Sequence, residues 1–185
     1  MGECTKITDV LFYDASAGTY RDLLGPPEGS NKAMLWKGED DSAIEQFVMN
    51  EDEDFLYIGT MRRHGGLGIT LDTSIKNDDA ATMVFEVSSS AGFTVAAVTD
   101  GTNDSGDMFK TTPAIIEITT VPAEGTWQAL ALHKIDGIGH PDAAKTIAGD
   151  NKRFWCRISA SAALGAVEIE QLSPLLISVA DTTGS

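Results

Sequence analysis

Apolar side chains recur at every second position in short runs along this chain, and that period of two decides what it can fold into. The clearest run is Thr82-Met-Val-Phe-Glu-Val-Ser88. In an extended strand, successive side chains point to opposite faces. Met83, Phe85 and Val87 then share one face, with Thr82, Val84, Glu86 and Ser88 on the other. That pattern predicts a half-buried strand of an antiparallel sheet. Phe55–Ile58, Phe93–Thr99 and Phe154–Ser159 read as further strands. Ala114–Val121 places Ile116 and Ile118 inward and Glu117 and Thr119 outward, and Pro122 ends it. Ala166–Glu170 alternates in the same way, with Val167 and Ile169 predicted buried and Glu168 and Glu170 in water. Gly65-Gly-Leu-Gly68 reads as a turn into the strand Gly68–Leu71, and Ala43–Met49 fits a strand or one helical turn capped by Ser42, the strand being preferred.

Turn residues separate these runs. Asp9–Tyr13 and Thr19–Leu24 flank Ala15–Gly18 as an opening hairpin, and Gly25-Pro-Pro-Glu-Gly29 follows as a breaker. One short helix is predicted over Pro141–Ala148, with Pro141 in its first turn and Gly149 past its end. Short strands with turn signals every 8–12 residues predict an all-β fold, an antiparallel β-sandwich of jelly-roll-like type. The absence of alternating helices excludes Rossmann and TIM scaffolds. The expected organisation is a lead-in hairpin or arm at 1–29, a sandwich domain at 30–175 and a loose tail at 176–185. Ala129–Asp150 reads as an insertion carrying the short helix. The predicted core is Met83, Phe85, Val87, Ile116, Ile118, Phe154, Ile158, Val167 and Ile169.

Composition bounds the function. A chain of 185 residues buries roughly 70% of its unfolded surface, so the core needs no disulfide or structural metal. No apolar run approaches the ~20 residues of a membrane span. Met1-Gly-Glu-Cys-Thr-Lys6 has neither the charged nor the apolar region of a signal peptide. Acidic residues number 28 against 13 basic ones, a net charge of −15. That balance argues against nucleic acid and anionic membranes as partners, since both need a basic footprint. Glu39–Asp54 alone holds eight carboxylates and no Lys or Arg, and reads as solvated loops. Cys4 and Cys156 are too far apart to suggest a disulfide framework or zinc site, and Cys156 reads as a core residue. His64, His133 and His140 read as loop or surface histidines.

No phosphate loop, nucleophile elbow or His-Glu-x-x-His motif occurs. Asp100-Gly-Thr-Asn-Asp-Ser-Gly-Asp107 supplies oxygens of the kind calcium takes, but it lacks the EF-hand register and the closing Glu. Asx and Gly residues are also what a tight turn needs. Glu168 and Glu170 at i, i+2 are ordinary on a wet strand face. The sequence therefore predicts no enzyme, with no catalytic, cofactor-binding or metal-binding residues and no cofactor.

Asp54-Phe-Leu-Tyr-Ile-Gly59, Gly68-Ile-Thr-Leu71 and Asp79-Ala-Ala-Thr-Met-Val-Phe-Glu-Val87 occur in this order. Val98-Thr-Asp-Gly-Thr102, Gly106-Asp-Met-Phe109 and Phe154-Trp-Cys-Arg-Ile-Ser-Ala-Ser-Ala-Ala-Leu164 follow. The combination, with the opening Phe12–Asp22, resembles a β-module of structural proteins of tailed bacteriophages and related viruses, over about residues 9–170. It departs from that pattern at Val87, where the module has Tyr or Trp, and in the insertion Ala129–Asp150. The resemblance implies a virion component rather than a reaction. The expected function is a capsid decoration (cement) protein on the outer head surface, made in the host cytoplasm. Its expected partners are the major capsid protein and copies of itself, with a homotrimer suggested by analogy to threefold lattice positions. A tail, neck or baseplate component is the alternative on the same module, and a carbohydrate-binding sandwich is the alternative from another class. Trp155 is expected to pack against a neighbouring sheet or subunit.

Overall fold

A computed structural model describes residues 6–23, 33–34, 46–51, 53–90, 92–131 and 152–177. The described chain forms twelve strands and, among the described residues, no helix. They are β1 (Ile7–Asp14), β2 (Thr19–Asp22), β3 (Ala33–Met34), β4 (Phe55–Thr60), β5 (Gly66–Leu71) and β6 (Met83–Ser89). The rest are β7 (Gly92–Val95), β8 (Val98–Asp100), β9 (Ala114–Ile118), β10 (Ala129–Leu130), β11 (Arg153–Ala160) and β12 (Ile169–Leu175). A seven-stranded sheet runs β2-β1-β4-β11-β6-β7, with β10 added alongside β11. A five-stranded sheet runs β3-β12-β5-β9-β8. All their pairings are antiparallel. The two sheets pack face to face as the expected β-sandwich. Consecutive strands change sheet at β2–β3, β3–β4, β4–β5, β5–β6, β7–β8, β9–β10 and β11–β12. Such repeated crossing is a trait shared with jelly rolls.

Both sheets give their inner residues to one core. Phe85, Val87, Ile158, Leu56 and Ile58 come from the larger sheet, and Leu67, Ile69, Ile116, Ile118 and Leu172 from the smaller. Seven of the nine predicted core residues are buried, and Met83 and Phe154 pack partly buried against them. The predicted register of β6 and β9 therefore holds. Phe93–Thr99 is not one strand: it breaks at Ala96-Ala97, where the chain leaves the larger sheet at β7 and enters the smaller at β8. Ala43–Met49 is described only from Gln46, where Phe47 makes a single bridge to Val167. The strand from the glycine turn starts at Gly66, inside the glycines. A Cβ at Gly66 would run into the Ile116 carbonyl oxygen, and its φ is +141°, so only glycine fits this crossing point.

Three expectations are corrected. The opening hairpin does not stand outside the sandwich as an arm. β1 pairs with β4 inside the larger sheet, and Val10 and Phe12 lie in the common core. Alternating apolar residues on β1 demanded that cover. Glu168 is wholly buried rather than wet. Val167 bridges Phe47 on one side, while the Glu168 backbone bonds to Asp72 and Ile75 on the other, so the 72–75 loop covers the face expected to be solvated. His64 is also wholly buried, between the sheets. The predicted helix 141–148, His133, His140, Cys4, Trp36 and the tail beyond 177 lie outside the described residues, as do five of the eight carboxylates of the acidic run. Of that run Glu51 and Glu53 are exposed, but Asp54 is buried. Its Oδ1 accepts from the Ala15 N–H, and its Oδ2 from the Asn50 N–H and Asn50 Nδ2, each at 2.8 Å.

Candidate functional site

The Asp100–Asp107 loop spends most of its side-chain oxygens on its own turns, although Asp100 Oδ2 is buried without a hydrogen-bond partner. Asp100 Oδ1 accepts from the Thr102 N–H at 2.9 Å and from Thr102 Oγ1 at 2.6 Å, forming an Asx turn. Thr102 Oγ1 in turn accepts from the Phe109 N–H. Asn103 Oδ1 takes the Gly106 N–H at 3.0 Å. Asp104 and Asp107 exchange backbone bonds, and the Lys110 ammonium pairs with the Asp107 carboxylate. The hydrogen bond to Asp107 raises the Lys110 pKa. The cation beside these carboxylates is thus a lysine. Ser105 and Phe109 hold positive φ, which closes the loop tightly.

A second carboxylate group lies in the smaller sheet where β5 ends and β12 begins. Asp72, Glu168 and Glu170 each bring one oxygen within 4.8 Å of the others. Asp78 and Asp79 lie nearby in sequence to Asp72, and a Cβ at Gly165 would meet Asp78 Oδ1 at 2.9 Å and Asp79 Oδ2 at 3.3 Å. All-oxygen donors of this kind suit hard cations. The sequence presented Glu168 and Glu170 only as an exposed pair, and the third member comes from a loop 96 positions earlier than Glu168.

The largest feature was not predicted. The face of the seven-stranded sheet that points away from the core carries a second apolar cluster. Tyr57 and Trp155 are buried at its centre, with Leu11, Tyr13, Tyr20, Phe55, Phe93 and Leu130 half-buried around them. These positions follow from register. Leu11 pairs with Tyr57, Tyr57 with Arg157, Arg157 with Glu86, and Glu86 with Val95, so all five point the same way. Tyr13 with Tyr20, and Gly59 with Trp155, form neighbouring rows. The rings touch in a continuous chain. Centroids are 4.7 Å apart for Tyr13–Tyr20, 6.4 Å for Tyr20–Tyr57, 5.8 Å for Phe55–Tyr57 and 5.7 Å for Tyr57–Phe93. Trp155 lies across Gly59, where a Cβ would come within 2.9 Å of its ring.

Charges on this face are paired within the chain. The Arg157 guanidinium lies 4.1 Å from the Phe55 ring centroid and 4.4 Å from that of Phe93, as cation–π contacts. Its Nε donates to Glu86 and its Nη1 to the Tyr57 hydroxyl. Burial opposes its charge, yet the bonds to Glu86 and Tyr57 leave its pKa raised. Arg153 Nε donates to Thr8 Oγ1 and to Asp9 Oδ2 at 3.0 Å. Burial, chiefly, raises the pKa of Tyr20 and Tyr57, so both stay neutral phenols. Trp155 Nε1 donates to the Leu130 carbonyl at 3.0 Å, which ties β10 over the ring. The expectation that Trp155 packs against a neighbouring sheet or subunit is not met within the chain: its ring lies over Gly59 on the outer face of its own sheet.

Inside the sandwich, a polar chain links the two sheets. The Gly66 N–H donates to His64 Nδ1 at 3.2 Å. The ring proton of the neutral imidazole then sits on Nε2, which faces Cys156 Sγ at 3.9 Å, and that thiol reaches the Ile58 carbonyl at 3.8 Å. Trp127 closes the pocket edge-on at 5.0 Å. Burial pushes the His64 pKa down to about 4 and the Cys156 pKa far up. A thiol so disfavoured as thiolate is a packing residue and a poor nucleophile. Among the described residues, then, the sandwich offers one broad surface of distinct chemistry, the aromatic sheet face. The chain matches no protein-family model, no curated protein and no solved structure.

Proposed function

We propose that this chain is a non-enzymatic structural protein of a virus particle, a decoration protein on the outer surface of the capsid. One observation carries the reading: both faces of the seven-stranded sheet are apolar. One face fills the core. The other is a plate of rings with neutralised charges, and apolar plates on protein surfaces mark contact with other macromolecules. The motif order described above supports the viral setting, and the acidity supports an exterior position, away from packaged nucleic acid. The partners on this reading are the capsid protein and further copies of the chain. The test is immunogold labelling and quantitative mass spectrometry of purified particles. Label over the head at many copies per particle is the expected result. Label confined to the tail overturns the decoration role in favour of a tail component, and absence from particles overturns the virion reading. The same rings favour a second reading, a carbohydrate-binding sandwich, which glycan-array binding by the purified protein would support.

A further inference from the structure

Charge is sorted by end along the strands of the larger sheet. β4 shows this within one stretch of chain: Glu51-Asp-Glu-Asp54 lead into the strand and Arg62-Arg63 follow it. Its neighbours repeat the polarity. β1 and β11 run antiparallel to β4, so Lys6 before β1 and Lys152-Arg153 at the start of β11 lie beside the end of β4. The Met61 N–H donates to the Lys6 carbonyl at 3.3 Å, which joins the two segments. Five of the nine described Lys and Arg residues are gathered at this end, in a chain of net charge −15. Arg63 pairs with Glu124 and Arg153 with Asp9, while Lys6, Arg62 and Lys152 are exposed.

The other end is acidic. Glu51 and Glu53 are exposed ahead of β4. β6 begins here, beside the end of β11, and Asp78 and Asp79 before it are exposed. The Met108 N–H donates to the Ala81 carbonyl, which brings the Asp100–Asp107 loop and its exposed Asp104 to the same end. The described bases on this side are Arg21, Lys76 and Lys110, all half-buried, and Lys110 is bound to Asp107. The six residues of β4 hold the two ends about 20 Å apart.

We propose that copies of this chain associate end to end, the basic end of one on the acidic end of the next. The inference rests on the reading of the protein as an assembly subunit, and it names the surface and the partner. A long polyanion such as nucleic acid would run off the small basic end onto the acidic remainder of the molecule. The opposite end of a second copy fits better, because both ends belong to the same sheet and carry complementary charge. The contact joins two different surfaces, so it repeats from copy to copy rather than closing on a pair.

Sedimentation velocity of the purified full chain over a range of concentrations tests this. At about 0.15 M salt charges are screened beyond about 8 Å, so remote carboxylates hardly repel while contacting pairs still attract. The protein is expected to grow in size with concentration there, and to be monomeric at about 1 M, where screening sets in at about 3 Å. Arg62→Glu with Lys152→Glu reverses the basic end, and Glu51→Lys with Glu53→Lys reverses the acidic end. All four side chains are exposed, so the fold should be unaffected, and thermal unfolding of each variant checks this. Either pair alone should weaken association at least about tenfold, because like charges then face each other across the contact. The second pair is the sharper test: it makes the chain less negative, so an association governed by net charge would strengthen instead. All four changes together keep the net charge and restore opposed ends, so association should return. A monomer at every concentration at about 0.15 M overturns the proposal, as does association that survives about 1 M. Stronger association in Glu51→Lys with Glu53→Lys also overturns it, as does a folded fourfold variant that stays monomeric. A monomer that instead binds an oligoglutamate peptide through Arg62 and Lys152 assigns the basic end to a different acidic protein. Particle labelling is independent of all these outcomes, so the virion reading and the end-to-end contact can fail separately.

Discussion

The outer faces of the two sheets differ although their inner faces share one core. On the smaller sheet the outward row holds Gly68, Thr70, Ile115, Glu117, Thr99 and Ser173, small or polar with one exposed Ile. On the larger sheet the corresponding positions hold Tyr13, Tyr20, Leu11, Phe55, Tyr57, Trp155 and Phe93. A strand with one wet face costs nothing further to leave as it is. A strand apolar on both faces is finished only when something covers its second face. The lesson is that within one sandwich, one sheet is built as a wall and the other as a partition.

The largest effect that probes this contrast lies on the shared inner side. Phe85→Ala should destabilise the fold by about 3–5 kcal/mol, mostly through the cavity left behind, as measured by denaturant unfolding. A loss below about 1 kcal/mol would mean that the core can collapse around the site, and that the partition is less tightly packed than its burial indicates.

The next effect is set by pH and concerns the polar chain between the sheets. His64 has a folded pKa of about 4 against 6.5 unfolded. The unfolded chain therefore binds the proton first as pH falls. Stability is full above about pH 6.5 and drops until about pH 4, where the folded histidine also protonates. The total loss expected from this one residue is about 3 kcal/mol, since each pH unit between the two values is worth roughly 1.4 kcal/mol. Carboxylates titrate in the lower part of the same window, so the comparison is with His64→Gln. The difference between the two stability profiles should show this slope between pH 6.5 and 4. A difference independent of pH would show that the imidazole is not held neutral between the sheets.

The smallest effect compares the outer faces directly. Gly59→Ala sets a methyl 2.9 Å from the Trp155 ring and 3.2 Å from Asp9 Cβ, both held in place by their neighbours. It should cost about 1–3 kcal/mol by overpacking. Gly68→Ala on the smaller sheet meets the Ser173 hydroxyl oxygen at 2.6 Å, which can turn away. Its cost should stay within about 0.5 kcal/mol, as for ordinary surface substitutions. Thermal unfolding of the pair measures the contrast. Equal costs would show that the aromatic face yields as readily as the polar one.

The same contrast explains what could be read from the sequence. Period-two alternation finds β6 and β9, and with them the buried set Phe85, Val87, Ile116 and Ile118, because polar residues such as Glu86, Ser88 and Glu117 hold positions on their other side. Alternation fails where both sides are covered. Phe55-Leu-Tyr-Ile58 is apolar throughout, so its outward ring Tyr57 was indistinguishable from its inward Leu56 and Ile58. The aromatic face could not be assembled from residues as distant as Tyr20, Phe93 and Trp155 without the strand order. A signal does exist: large apolar or aromatic residues at every second position, Leu11 with Tyr13 and Phe55 with Tyr57, on the side opposite the core residues Phe12 and Leu56. The burial of Glu168 and His64 escapes the sequence for another reason. Their burial comes from the 72–75 loop and from the crossing at Gly66, neither of which leaves a local pattern.

The strand order also bears on how the chain is made. β4 lies at the middle of the larger sheet, between β1 and β11, and Ile58 and Cys156 meet across a separation of 98 residues. Long-range pairings of this kind slow folding, because the loop must close before its contacts contribute. During synthesis β1, β2 and β4 leave the ribosome long before β11, and β4 then presents one unpaired edge and two apolar faces. That interval is when the nascent chain is most open to strand-edge association with other molecules. Completion of β11 ends it, since that strand pairs β4 to β6 and brings Trp155 over Gly59 in the same step.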